Sequence, residues 1–140
     1  MTAATPPDIV RAAYAELVVT DLERSRWFWV DLLGFAVTRA DAGALYLRGY
    51  DELTHHNLIL REGPDPAAAR LAFRVRTAAD LDRAETFYAA LGSRTARLPA
   101  GATAGVGEAV RTRYASRAAA GSRPSRRIRL WCVSSSYPRR

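Results

Sequence analysis

The chain has 140 residues, 49% hydrophobic and 25% charged, enough for one domain with a real core but not for two separate ones. No apolar run approaches the roughly 20 residues that span a bilayer. The start, Met1-Thr2-Ala3-Ala4-Thr5-Pro6-Pro7, lacks the basic and apolar stretches of a secretory signal. A cytoplasmic, non-membrane protein is expected. The single cysteine, Cys132, excludes an internal disulfide and a zinc site built from cysteines.

The net charge of +7 suggests nucleic acid until it is located. Residues 1–111 hold 13 Arg and all 14 Asp and Glu, whereas residues 112–140 hold 8 Arg and no acid. The body is nearly neutral. There is no Lys anywhere, which points to GC-rich coding DNA rather than to selection for phosphate binding.

Tyr14–Thr20 is rich in β-branched and aromatic residues and predicts a buried strand. Thr20-Asp21-Leu22-Glu23 then reads as a capping box with Thr20 as the cap. The helix it opens places Leu22, Phe28, Trp29, Leu32 and Leu33 on a broad apolar face, and Gly34 ends it. Phe35–Arg39 and Ala44–Gly49 follow as a hairpin, and Asn57–Arg61 as a third strand after the helix. Residues 62–66, Glu-Gly-Pro-Asp-Pro, close this βαβββ unit.

The pattern then restarts. Leu71–Arg76 predicts a strand, Thr77-Ala78-Ala79-Asp80 a second capping box, and Leu81, Ala84, Phe87, Tyr88 and Leu91 one helical face ending at Gly92. Leu33-Gly34 and Leu91-Gly92 lie 58 residues apart, so an internal duplication is the economical reading. Ser93–Leu98 and Glu108–Arg111 supply two further strands, but the third has no good candidate. The fold class expected is α+β, paired βαβββ modules at about 12–63 and 69–111, the second incomplete. Residues 112–140 read as a disordered Arg/Ser/Ala tail, in which only Ile128–Val133 is apolar enough to pair as a strand.

Asp21-Leu22-x-x-Ser25-x-x-Phe28 and Leu33-Gly34-Phe35, after a strand and within a duplicated pattern, resemble the vicinal oxygen chelate superfamily. That superfamily includes glyoxalase I, fosfomycin-resistance proteins and type I extradiol dioxygenases. Three further stretches extend the resemblance over about residues 6–111. They are Pro7-Asp8-Ile9-Val10-Arg11, His55-His56-Asn57-Leu58-Ile59-Leu60-Arg61, and Gly105-Val106-Gly107-Glu108-Ala109-Val110-Arg111. Together they are similar to the N-terminal domain of the homoprotocatechuate (3,4-dihydroxyphenylacetate) 2,3-dioxygenase family.

The resemblance implies paired βαβββ modules and a parent activity of catechol ring cleavage in aromatic catabolism. In that family a separate C-terminal pair of modules holds Fe(II) or Mn(II) through two His and one Glu. This leaves open positions where catecholate and dioxygen bind together. The N-terminal domain shares the fold without the metal and serves as scaffold and in subunit assembly. A homo-oligomer, or self-association through module edges, is therefore expected. Beyond Arg111 the resemblance fails: an Asp-Pro-x-Gly turn and a strand ending in an acid are replaced by Thr112-Arg113-Tyr114-Ala115-Ser116-Arg117. Out-of-frame reading of GC-rich DNA gives such a run. The expectation is a truncated dioxygenase product, inactive alone.

In metal-binding relatives one ligand sits on a module's first strand, seven residues before the Asp of the Asp-Leu motif. Here that place is Tyr14, a poor ligand for Fe(II) or Mn(II). Its counterpart in the second module falls near Ala72, which has no donor, and the carboxylate belongs to the segment where the resemblance fails. No catalytic residue, cofactor or metal ligand is expected in this chain. His55 and His56 are the only histidines; at a strand entry they point to opposite faces and cannot share one mononuclear site. One ring should be packed and one exposed. Glu16 and Glu62 read as solvated or paired carboxylates, and Cys132, with no His near in sequence, as a thiol without a nucleophilic role. Of Trp27, Phe28 and Trp29, the latter two should pack and Trp27 mark an exposed or intersubunit patch.

The alternative is a small stand-alone glyoxalase-like binding protein or enzyme acting as a dimer. A third reading, nucleic-acid binding by the Arg-rich tail, predicts only nonspecific, salt-sensitive association. No specific nucleic-acid partner is expected.

Overall fold

The computed structural model describes residues 3–113 and 129–134. The chain divides into two compact units, one of residues 14–70 and one of residues 1–13 with 71–140. Each repeats a single topology.

In the unit of residues 14–70, β1 (Ile9–Val19, of which Tyr14–Val19 belong here) leads into α1 (Leu22–Arg26), followed by β2 (Ala36–Asp41), β3 (Ala44–Arg48) and β4 (Leu58–Glu62). The strands lie in the order β2-β3-β4-β1. β3 is antiparallel to both β2 and β4, and β4 is parallel to β1, with Glu16 opposite Ile59 and Leu17 opposite Leu60. Leu45, Leu47, Leu58 and Leu60 alternate onto one face of the sheet and pack against Leu22, Trp29, Val30 and Phe35. That period-2 alternation is what drives these segments into a sheet with one side covered.

The first helix differs from the expected one. Its N-cap is Asp21 rather than Thr20, with the Asp21 carboxylate accepting from the Arg24 N–H at 2.9 Å. After Arg26 it widens into a π-helical segment, Trp27–Leu32, marked by the Leu33 N–H donating to the Phe28 carbonyl. A π turn holds an extra residue and rotates the side chains after it about the helix axis. Trp29 and Val30 therefore face the core, while Phe28, Leu32 and Leu33 are exposed with Trp27. Phe28, Leu32 and Leu33 were expected on the packed apolar face, and the helical register is why they are not.

In the other unit, β5 (Ala67–Val75, of which Leu71–Val75 belong here), α2 (Ala79–Ala90), β6 (Thr95–Leu98), β7 (Ala109–Arg113) and β8 (Arg129–Val133) stand in the order β5-β8-β7-β6. This is the first unit's order, element for element. Val75, Leu81, Ala84, Val110 and Cys132 form its core. The predicted capping box forms only in half: the Asp80 carboxylate accepts from the Thr77 N–H, and also from the Asp8 N–H, but the Thr77 hydroxyl donates to that carboxylate instead of capping an amide, and the N-cap is Ala78 without a side-chain bond. These bonds hold its pKa down to about 2, the Thr77 hydroxyl contributing most. Gly34 and Gly92 both stop their helices with φ near +78° (77° and 78°), a conformation that a side chain would strain.

β8 changes the expected picture most. Arg129–Val133 pairs antiparallel with β7, Val110 opposite Cys132 and Arg111 opposite Trp131. Ser134 adds a bond to the Glu108 carbonyl. The second module thus has its last strand, supplied by the one apolar stretch after residue 112. Burial of Trp131, Cys132 and Val133, each 5% exposed or less, offsets the entropy of ordering five residues. Among the described residues Val110 is fully buried rather than at an open edge. The remainder of the expected disordered tail, 114–128 and 135–140, lies outside the described residues. Among those described, no helix is long and apolar enough to cross a membrane.

Candidate functional site

The leucines of β3 and β4 face the helix, so the alternate residues of β1, β3 and β4 line the opposite face of that sheet. Polar side chains collect there: Tyr14 and Glu16 from β1, Tyr46 and Arg48 from β3, Arg61 from β4. Glu16 is only 5% exposed. One oxygen accepts from Arg61 Nε at 3.2 Å, and the other lies 3.3 Å from an Arg70 guanidinium nitrogen. Arg70 also donates to the Tyr14 hydroxyl at 3.2 Å. The carboxylate is clamped between two guanidinium groups, which suits a structural anchor more than a base.

His55 and His56 end the β3–β4 connection just before β4. They were expected on opposite faces. They precede the strand instead, in irregular backbone, and their Nδ1 atoms approach to 2.8 Å with rings perpendicular. One nitrogen must donate and the other accept, so the pair carries a single bridging proton. His56 is buried edge-on to Tyr14 and Tyr46, at centroid distances of 4.8 and 5.2 Å. Burial foremost, then His55 and Arg70, lowers its pKa to about 4. Burial, then Arg39 and Arg48, lowers that of His55. The site holds two neutral imidazoles among arginines.

These donors do not form a two-histidine, one-carboxylate metal set. Arg39 and Arg48 disfavour a cation beside His55, the Tyr14 hydroxyl is engaged by Arg70, and Ala72 has no donor atom. Residues Arg129–Val133 of β8 include no carboxylate. Among the described residues no three His, Cys, Asp or Glu side chains converge. Glu62 is exposed at the end of β4. Cys132 is 3% exposed in the second unit's core, where burial pushes its thiol pKa up. Trp27 is the most exposed of the three consecutive aromatics, at 57%. Sequence reasoning missed Tyr46, Arg61 and Arg70, although polar residues alternating with strand leucines were the available signal.

A family model, the glyoxalase/bleomycin resistance protein/dioxygenase superfamily, matches residues 11–112. The chain is similar to a solved variant of homoprotocatechuate 2,3-dioxygenase from B. fuscum, with TM-score 0.82 and 42% identity, covering 96% of this chain and 34% of that one. The same enzyme from Brevibacterium fuscum in anaerobic complex with 3,4-dihydroxyphenylacetate matches with TM-score 0.79 and 42% identity, over 96% and 40% of the two chains. A manganese-dependent 2,3-dihydroxybiphenyl 1,2-dioxygenase of Geobacillus genomosp. 3 is 26% identical over 106 residues, 76% of this chain and 34% of that protein. Metapyrocatechase of Pseudomonas sp. strain CF600 is 29% identical over 104 residues, 74% and 34% respectively. The chain spans about a third of the length of these relatives.

Proposed function

The chain belongs to the glyoxalase/bleomycin resistance protein/dioxygenase superfamily, with metal-dependent extradiol dioxygenases among its relatives, and we propose that it serves as the scaffold domain of such an enzyme and cleaves no ring by itself. The donor set carries this reading. Tyr14 and Ala72 stand where two ligands would be needed, and the carboxylate nearest to Tyr14, Glu16, is held by Arg61 and Arg70. Ring cleavage needs a metal that holds catecholate and dioxygen side by side, fixed from one face by its protein ligands. His55 and His56 alone do not supply that arrangement.

On this proposal the substrate class of the whole enzyme is a catechol with a carboxylate side chain, 3,4-dihydroxyphenylacetate, and its metal Fe(II) or Mn(II). Self-association into a homo-oligomer is part of the same proposal, as is a cytoplasmic location. One observation favours a second reading, a stand-alone glyoxalase-like protein: β8 gives the second module its full set of strands.

The test is direct. Purified chain mixed with Fe(II) or Mn(II) and 3,4-dihydroxyphenylacetate in air should form no yellow ring-opened semialdehyde above the metal-only blank. Turnover above that blank, abolished by His55→Ala or His56→Ala, would replace the scaffold reading with a self-sufficient enzyme.

A further inference from the structure

The second unit carries a feature that ring-cleaving chemistry does not use. On β7, Val110 faces α2, so Arg111 and Arg113 alternate to the other face. On β6, Arg97 faces α2, where it meets Asp82 and Glu85, so Arg94 and Ala96 share the face of Arg111 and Arg113. Ala96 lies opposite Arg111 and Arg129 opposite Arg113, and the Arg113 N–H donates to the Arg94 carbonyl. Arg94, Arg113 and Arg129 thus form a row across three adjacent strands, about 4.8 Å apart from strand to strand. Like charges set directly opposite each other destabilise a sheet. Opposite Arg111 the small Ala96 leaves a groove of about 220 Å³, lined by Arg94, Thr95, Ala96, Arg111 and Arg113.

Among the described residues no carboxylate relieves this row. Among the described residues none pairs with Arg94, Arg111, Arg113 or Arg129, whereas Arg97, on the other face, has three acidic partners. The sequence holds no Asp or Glu after Glu108, so no acidic side chain of the following segment can do so either. Three guanidinium groups around one concavity offer forked donors to an oxyanion and call for more than one negative charge.

We propose that this groove is a binding site for a small dianionic oxyanion of the phosphate class, either free phosphate or the phosphate group of a small ester. The groove has room for a phosphate group. A nucleic-acid strand fits less well, because Trp131, the aromatic opposite Arg111, is 5% exposed and offers no platform for base stacking. The proposal is independent of the scaffold reading, because none of its residues holds a position from which that reading is argued.

The experiment compares thermal melting of the full chain in inorganic phosphate with melting in chloride at equal ionic strength, and measures affinity by calorimetry. Phosphate should raise Tm and bind with one-to-one stoichiometry. Arg111→Gln should lower the affinity about tenfold or more, the loss of one charge-assisted contact. The double variant Arg94→Gln/Arg113→Gln should abolish binding while melting no lower than wild type in chloride, since it removes like-charge repulsion. Arg24→Gln, in the other unit, should leave binding unchanged. Phenyl phosphate bound more tightly than phosphate would identify an ester as the ligand, and the reverse order the free ion; both support the site. Equal Tm in phosphate and chloride would overturn it, as would phosphate binding retained in both groove variants. Affinity for a single-stranded oligonucleotide that grows with its length and displaces phosphate would replace the small ligand with nucleic acid and overturn the proposal.

Discussion

The two modules share strand order, helix position and a left-handed glycine after each helix, yet they are built differently where it matters for chemistry. The first has a helix that widens into a π segment and exposes Trp27, Phe28, Leu32 and Leu33. The second has a regular twelve-residue helix that buries Leu81 and Ala84 completely. On the sheet face away from its helix, the first module pairs two arginines, Arg61 and Arg70, with the buried Glu16. Among the described residues the second leaves Arg94, Arg111 and Arg113 without an acid. Duplication therefore fixes the backbone plan, and the residues alternating away from the helix are free to diverge.

The largest expected effect breaks the first module's anchor. Glu16→Ala leaves Arg70, whose side chain is 14% exposed, facing Arg61 without the carboxylate. Such a loss costs about 3–5 kcal/mol, measurable by urea unfolding. A cost no larger than that of an exposed pair would show that Glu16 is solvated. The equivalent test in the second module, Arg111→Gln, should cost nothing in chloride.

The next effect is a pH dependence confined to the first module. His56 titrates near 4 when folded and near 6.5 when unfolded, so the unfolded chain binds the proton first. Its contribution is complete above about pH 6.5 and is lost as pH falls towards 4, about 3 kcal/mol in all. His55, shifted in the same direction, steepens this. His56→Gln should flatten the profile between pH 4 and 6.5; an unchanged slope would assign the dependence to the carboxylates.

A smaller effect probes the strand that completes the second module. Cys132→Ser puts a hydroxyl into the cluster of Val75, Leu81, Ala84 and Val110 and should cost about 1–3 kcal/mol. The native thiol should react with a disulfide reagent at the rate of unfolding. Immediate, stoichiometric labelling would mean that β8 is not seated. The smallest effect belongs to the exposed π segment, where Trp27→Ser should change stability by less than about 0.5 kcal/mol, against about 2–5 for Leu81→Ala.

The duplicated plan was legible because glycine stops, apolar helical faces and β-branched strand segments are local signals. Gly92 is an example, doing what its neighbours in sequence require. The π segment was not legible, since Trp27-Phe28-Trp29-Val30 suits either helical register and packing decides which is used. β8 was only half legible: its apolar residues stand out in the sequence, but its seat beside β7 is a tertiary choice. The His55–His56 pair was misjudged because strand geometry was extended one step too early, into a loop whose backbone turns both rings together. The Arg61–Glu16–Arg70 clamp joins residues from three separate segments, and no local pattern announces such a meeting.

The central proposal is that this member of the glyoxalase/bleomycin resistance protein/dioxygenase superfamily holds no metal of its own, and titration of the purified chain with Mn(II), followed by the spin resonance of the free ion, tests it most directly. All added Mn(II) should remain free at stoichiometric protein. One tightly bound Mn(II) per chain, released by His56→Gln, would contradict the proposal.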